Sequence, residues 1–382
     1  AFCFGFRHIR SGGKALSLFL SCGEASGDHY AGCLIKALDG RLGRCWGMLG
    51  PEGKASGGQE VWSYSELQVM GISEGLKSAL RLFRLKDRMA NSILEEMPDC
   101  VVVIDSPDYH IPLIKAIRRG GYQNPIFYVS PPTAWAWRTK RADAIRSLKV
   151  ICFPLFEFEH RFYAGKGVES YWIGHPLLDD LCDYTPDESV LNACNGKRTV
   201  ALLPGSRPAE VRRLAGVLRE VGVELKHMGY DPVVSVARNL SYVDRQMLKD
   251  MGGDMSFFEG KGVDLMYVSE FVIGACGTAA VEAMMLDKFM VVLYKASLLS
   301  CLVYKLMVKT QWVAMPNILL GREVYPELLQ GEVKTSLILE AVSRYLKDTK
   351  KVHNELTEAR SKMGSRGVYK FWADAIVEMT GR

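Results

Sequence analysis

The chain has 382 residues, of which 48% are hydrophobic and 24% charged, and carries a formal net charge of +5. That length and balance suit two globular domains with substantial cores and exclude a disordered or small disulfide-built chain. The mild positive excess suits anionic partners, but neither a zinc-finger spacing nor a basic zipper helix occurs, so nucleic acid is not an expected partner.

Arg7, His8, Arg10 and Lys14 precede the apolar stretch Ala15–Ser21 and then Cys22. This order mimics a signal peptide, but the apolar run is only seven residues long and flows straight into a Gly-Glu turn. We read it as a first buried strand, with residues 1–15 as an N-terminal extension. No run of about 20 apolar residues occurs, so no spanning helix is expected. The ten cysteines are scattered without a C-x-x-C pair. They read as buried free thiols of a reducing compartment.

The turn after the first strand is Gly23-Glu24-Ala25-Ser26-Gly27-Asp28, followed by a helix-like segment, His29 to Leu38. In α/β sheets ligands bind beyond the carboxyl ends of the strands, where this turn lies. Glu24 is either a ligand contact or a solvated loop residue, and Asp28 either a ligand contact or a helix cap. The turn has neither the G-x-G-x-x-G spacing nor the Lys-Ser/Thr of a P-loop.

Cys100–Ile104 is a continuous apolar run of the kind buried on both faces of a parallel sheet. Asp105-Ser106-Pro107-Asp108 follows directly. Asp105 there can serve as a general base toward a hydroxyl, or the segment is a tight turn with Asp108 as a cap. A helix over Ile111–Arg119 and strands over Ile126–Val129, Val150–Phe153 and Glu169–Ile173 complete a first doubly wound domain. Between them, Ser130-Pro131-Pro132-Thr133-Ala134-Trp135-Ala136-Trp137-Arg138 places two tryptophans and a basic run beside a strand end. They read either as a sugar-binding wall or as core anchors. Arg138, Lys140 and Arg141 suit phosphate or carboxylate.

The polar stretch Asp179 to Lys197 marks the domain boundary. A second series opens with the strand Thr199–Leu203, the turn Pro204-Gly205-Ser206-Arg207 and the helix Glu210–His227. Further strands are expected over Pro232–Ala237, Met255–Phe258, Phe271–Gly274 and Phe289–Tyr294. Gly205 and Ser206 offer backbone N–H groups to an anion, and Arg207 adds a charged donor fork. Gly277, Thr278 and the helix carrying Glu282 form a second such turn. Glu282 is placed to accept from ribose hydroxyls or to stabilise its helix. Leu298–Val313 is apolar with Lys305 and Lys309, either a lipid-facing amphipathic helix or an ordinary packed one. The seven histidines show no metal-ligand spacing.

Nine motifs, in order, resemble the lipid-A-disaccharide synthase family of inverting glycosyltransferases. They are GEASGD at Gly23, VMGISE at Val69, IDSPDY at Ile104, SPPTAWAWR at Ser130, FPLFEFE at Phe153, GHPLLDD at Gly174, LLPGSRPAEV at Leu202, GTAAVEAM at Gly277 and MPNILLGREVYPELLQ at Met315. The resemblance implies an α/β architecture of two Rossmann-like doubly wound domains facing a cleft, the GT-B arrangement. The expected divisions are 16–185 for the acceptor domain, 186–352 for the nucleotide-sugar domain and 353–382 for a helical tail.

It also implies transfer from UDP-2,3-diacylglucosamine to 2,3-diacylglucosamine 1-phosphate (lipid X), giving a β-1,6 disaccharide and UDP without a cofactor or metal. Asp105, Glu24 and Arg207 are the implied catalytic residues. Gly205, Ser206, Arg207, Gly277, Thr278, Glu282 and Asn317 are the implied donor contacts. A cytoplasmic enzyme, peripheral on the inner face of the inner membrane, follows from the same resemblance, as does a homodimer with exchanged C-terminal segments. Two segments depart from the family pattern. Gly47-Met48-Leu49-Gly50-Pro51 stands where consecutive glycines are usual, and Pro132-Thr133 where a small residue and Val are more common.

Overall fold

The computed structural model of the protein describes residues 15–68, 75–237, 240–252, 255–295 and 310–381. The chain divides into two units, Ala1–Asp179 with Gly364–Arg382, and Asp180–Met363. The VMGISE segment and residues 298–309 of the apolar stretch singled out above lie outside the described residues.

Strands β1 (Leu16–Cys22), β2 (Leu42–Leu49), β3 (Gln59–Ser63), β4 (Cys100–Ile104), β5 (Ile126–Val129) and β6 (Ile151–Phe153) form the sheet of the first unit. All pairs are parallel, in the order β3-β2-β1-β4-β5-β6. Every residue of β4 is buried because helices cover both faces of the sheet. The helices Gly75–Glu96 and Pro107–Arg119 fill one face through Leu85, Met89, Ile114 and Ile117. The helix Ala25–Ala37 and the last helix, Val368–Thr380, fill the other. Glu169–Ile173, expected as a strand, makes only the single bridge Ser170–Cys152, because β6 is three residues long and offers little edge to pair.

Strands β7 (Thr199–Leu203), β8 (Asp231–Ser235), β9 (Ser256–Phe258), β10 (Phe271–Ala275), β11 (Phe289–Tyr294) and β12 (Glu327–Leu329) form the sheet of the second unit. It too is parallel, in the order β12-β11-β10-β7-β8-β9. In each all-parallel sheet the order in which successive strands are added therefore reverses once, between β1 and β4 in the first unit and between β7 and β10 in the second. Phe289 stacks on Tyr345 of the helix Thr335–Lys347 with centroids 4.1 Å apart. The two units repeat one doubly wound plan, and the fold is that of paired Rossmann-like domains.

Residues 353–382, set apart above as one tail, are shared between the units. The helix Thr349–Ser361 stays in the second unit, while Val368–Thr380 returns to the first. There Trp372 is 2% exposed, against Tyr30 at 6.1 Å and Phe153 at 6.3 Å. The GHPLLDD motif secures this return. The Asp179 carboxylate accepts from the N–H groups of Gly367 (2.7 Å) and Tyr369 (3.2 Å), capping the helix. Gly174 bridges Gly364, and Ser365 N–H donates to Ile173 C=O at 2.7 Å.

The eight cysteines among the described residues are free and five of them are buried. No helix among the described residues is long and apolar enough to cross a membrane.

Candidate functional site

In the first unit the switch point lies between β1 and β4, with Cys22 paired to Ile104. The loops beyond those residues are Gly23-Glu24 and Asp105-Ser106. They touch: a Cβ on Gly23 would stand 1.8 Å from Ser106 Oγ, so only glycine fits there. Glu24 is the N-cap residue of Ala25–Ala37 and is half-buried. Asp28 is spent on the fold. Its carboxylate is 2% exposed and accepts from the N–H groups of Gly50 (2.7 Å), Glu52 (2.9 Å) and Gly53 (3.1 Å). It caps the helix Pro51–Ala55, so of the two acids in that turn Asp28 is committed to the fold.

Asp105 and Ser106 both have left-handed backbones, with φ of 55° and 47°. Ser130 (φ 50°) and Arg138 (φ 52°) repeat this beyond β5. Non-glycine residues pay for that conformation, and such outliers gather at functional loops. The strain at Asp105 is held by two bonds to its carbonyl. Tyr128 O–H donates at 2.8 Å and His110 Nδ1–H at 2.6 Å. A carbonyl can only accept, so Nδ1 carries the proton. Burial pushes the His110 pKa down to about 4, leaving the ring neutral. Its Nε2 is then the acceptor for Ser21 O–H at 2.9 Å. Nothing in the sequence pattern pointed to His110, Tyr128 or Ser21. His110 is an isolated histidine on a buried helix face.

The Ser130–Arg138 loop stands beyond the next strand. Trp135 Nε1–H donates to Glu159 at 2.9 Å, and Glu159 also accepts from the N–H groups of Leu155 and Phe156, each at 3.3 Å. Burial raises the Glu159 pKa to about 7. The SPPTAWAWR and FPLFEFE motifs are thus tied to one another. Trp137 is half-buried, with the Arg138 and Arg141 guanidiniums 4.3 and 5.6 Å from its ring centroid.

In the second unit the switch point lies between β7 and β10, with Leu203 paired to Gly274. A Cβ on Gly274 would meet Leu203 Cβ and C=O oxygen at 2.5 Å, so these strand ends approach closely. The turns Pro204–Arg207 and Cys276–Thr278 follow, and each opens a helix, Pro208–His227 and Thr278–Met285. Two sets of N-terminal N–H groups stand beyond neighbouring strand ends, an arrangement suited to a diphosphate. Ser206 and Arg207 are exposed, and Arg207 Nη1 lies 3.4 Å from Glu210 Oε1. Glu282 is half-buried, one turn into its helix.

Asn317 is fully buried. Its Nδ2 donates to Tyr325 C=O and Glu327 Oε1, both at 2.8 Å. Its Oδ1 accepts from the N–H groups of Val324 (2.7 Å) and Tyr325 (2.8 Å). The amide is saturated by protein and has no donor left for a ligand. It holds Glu327, which also accepts from Val313 and Ala314 N–H.

The candidate residues fall into two groups, Glu24 with Asp105 in one unit, and Gly205, Ser206, Arg207, Gly277, Thr278 and Glu282 in the other. A family model described as lipid-A-disaccharide synthetase matches residues 18–370. The lipid-A-disaccharide synthase of Aeromonas hydrophila is 31% identical over 374 residues, covering 94% of this chain and 97% of that protein. That of Alcanivorax borkumensis is 33% identical over 337 residues, covering 85% and 87%. Among solved structures, a putative UDP-N-acetylglucosamine 2-epimerase from Listeria monocytogenes aligns over 95% of both chains with TM-score 0.67 and 14% identity. The calicheamicin glycosyltransferase aligns over 97% of this chain and 99% of its own with TM-score 0.57 and 13% identity. These two likenesses concern the fold, which is that of GT-B glycosyltransferases and epimerases. On the sequence matches, the chain belongs to the lipid-A-disaccharide synthase family and is a glycosyltransferase of lipid A disaccharide formation.

Proposed function

We propose that the chain transfers the diacylglucosaminyl group of UDP-2,3-diacylglucosamine to the 6-hydroxyl of lipid X, forming a β-1,6 bond and releasing UDP. The hydroxyl oxygen attacks the anomeric carbon as the bond to UDP breaks, which inverts that carbon. Asp105 takes the hydroxyl proton, and the leaving diphosphate keeps the bonding electrons. Arg207 and the turns at Gly205-Ser206 and Gly277-Thr278 stabilise the diphosphate charge as it grows. Glu282 accepts from the ribose, and Glu24 orients sugar hydroxyls. In this reading Asn317 acts through Glu327 and its loop rather than on the donor. The reading calls on no cofactor.

The observation that carries it is the contact of Gly23 with Ser106, which sets the Glu24 and Asp105 loops side by side at a switch point. Attachment to a membrane surface belongs to the same reading. On the helix Gly75–Glu96, Leu80 and Phe83 are 53% and 59% exposed, among exposed Arg81, Arg84 and Arg88. That mixture suits an anionic lipid surface.

The test supplies UDP-2,3-diacylglucosamine and lipid X to the folded, detergent-stabilised protein and reads disaccharide and UDP by mass spectrometry. Stoichiometric formation of both is the expected result. UDP-N-acetylglucosamine turned over without any lipid acceptor, and no disaccharide, would replace the transferase by an epimerase reading.

A further inference from the structure

We infer that Arg138 and Arg141 form the binding site for the phosphomonoester of the acceptor, with Asp108 as its resting stand-in. The inference rests on the transferase reading above and deepens it.

Both guanidiniums converge on one carboxylate oxygen. Arg138 Nη1 donates to Asp108 Oδ1 at 3.1 Å, and Arg141 Nη2 donates to the same atom. Two planar donor forks sharing one oxygen leave most of their N–H groups unmatched by that carboxylate, whereas a phosphate presents three oxygens and lets each fork bind its own. The Asp108 side chain is 75% exposed, and an exposed ion pair of this kind contributes little, so a dianion displaces it readily.

The pair is also held in place before any ligand arrives. Trp137 lies against both guanidiniums, and the indole of Trp135 in the same loop is fixed by buried Glu159. The Arg141 side chain is only 14% exposed. Arg138 keeps a left-handed backbone that a non-glycine residue adopts at a cost. The location fits the acceptor rather than the donor. Asp108 is in the first turn of Pro107–Arg119, three residues after Asp105, and the arginines follow β5, the neighbour of β4. The turns suited to the donor diphosphate belong to the other unit.

The experiment compares lipid X with the same diacylglucosamine lacking its phosphate. Each is supplied in neutral nonionic micelles, so that the only other phosphate is the donor's. In the wild type, kcat/KM is expected to favour the phosphorylated acceptor by roughly 100-fold, about tenfold for each charge-assisted guanidinium contact. The double variant Arg138→Gln, Arg141→Gln should lose most of that preference through KM, with UDP affinity unchanged as the check on folding. Should that variant fail to fold, Arg138→Lys, which keeps the charge and loses the fork, should lower the preference severalfold.

Equal turnover of the two acceptors by the wild type would overturn the proposal. So would a folded variant with the full preference. Calorimetric titration of both acceptors without donor separates the two levels. Phosphate-dependent binding that the arginine variants abolish, together with no disaccharide, would refute the transferase reading and leave the site standing.

Discussion

Gly23 and Ser106 stand so close that one added methyl group would overlap the serine hydroxyl at 1.8 Å. The backbone of one loop is thereby the wall of the other, and Glu24 and Asp105 share one edge of the sheet. Gly23→Ala should push the loops apart. Overpacking of this kind costs about 1–3 kcal/mol. Turnover should fall at least tenfold, well beyond what a stability loss of that size removes at 25 °C. Urea denaturation and an activity assay on the same preparation check both numbers.

Asp105→Asn keeps the size of the side chain and removes its basicity. If Asp105 is the general base, kcat should drop by roughly 10²- to 10⁴-fold while UDP affinity stays near wild type. Arg207→Ala should weaken UDP binding as well as turnover, because its guanidinium is assigned to the diphosphate. Calorimetric UDP titration and steady-state kinetics distinguish the two patterns. An active Asp105→Asn enzyme would remove that residue from the chemistry.

The support beneath Asp105 makes the fold sensitive to acid. Burial holds the His110 pKa at about 4, below its unfolded value of about 6.5. Between those values the unfolded chain binds a proton that the folded chain refuses, so stability falls as pH falls. The contribution is complete above pH 6.5, is lost as pH drops through about 4, and amounts to ~3 kcal/mol at most. Glu159 has the opposite sign. Its pKa is raised to about 7, so its contribution is present below pH 4.5 and lost as pH rises through 7. His110→Gln isolates the histidine, since an amide can donate to Asp105 C=O and accept from Ser21 without titrating. The variant should resemble wild type at pH 7.5 and show a flatter decline in urea midpoint toward pH 4.

The strands buried on both faces were legible as unbroken apolar runs, as β4, β7, β10 and β11 illustrate. β2 was not marked out, because Arg44 and two glycines interrupt its run, nor were the edge strands β3 and β12, whose residues are largely half-buried. Asp105 and Glu24 were legible as acids at strand ends. Asp105 was also legible on a strand end neighbouring the Glu24 turn, as β1 beside β4 bears out. The contact of the two loops through Gly23 and Ser106 was not legible, because it depends on backbone geometry. The supports of the site were hidden for a similar reason. Ser21 and His110 are 89 positions apart, and Trp135 and Glu159 are 24 apart, in different motifs. Asn317 stood out through its motif as an expected donor contact, whereas its buried bonds to Val324, Tyr325 and Glu327 join residues that no sequence pattern pairs.

The return of the last helix ties the end of the chain to the stability of the first unit. Trp372→Ala should cost about 3–5 kcal/mol, the usual loss for a buried aromatic side chain. Asp179→Ala removes a cap from that helix and should cost about 0.5–2 kcal/mol. Both substitutions act on the unit that carries Asp105, so limited proteolysis should cut the first unit sooner and leave the second unit's fragments unchanged. Equal loss of protection in both units would contradict this assignment.

Asn317 and Glu327 separate a structural loss from a chemical one. Asn317→Ala leaves the buried N–H groups of Val324 and Tyr325 without their acceptor and takes from Glu327 one of its three donors. Each orphaned group costs about 1–3 kcal/mol, so the second unit should be destabilised by several kcal/mol. Asn317→Asp should be worse near neutral pH. It would set a second carboxylate 2.8 Å from that of Glu327, whose own pKa burial already raises. One of the two must then hold a proton, so the Asp variant should regain stability as the pH is lowered, unlike the Ala variant. Thermal melts of both variants from pH 8 to pH 5, with and without UDP, make the comparison. A donor-contact role predicts the reverse, with lost UDP stabilisation and an unchanged melting temperature in the absence of ligand.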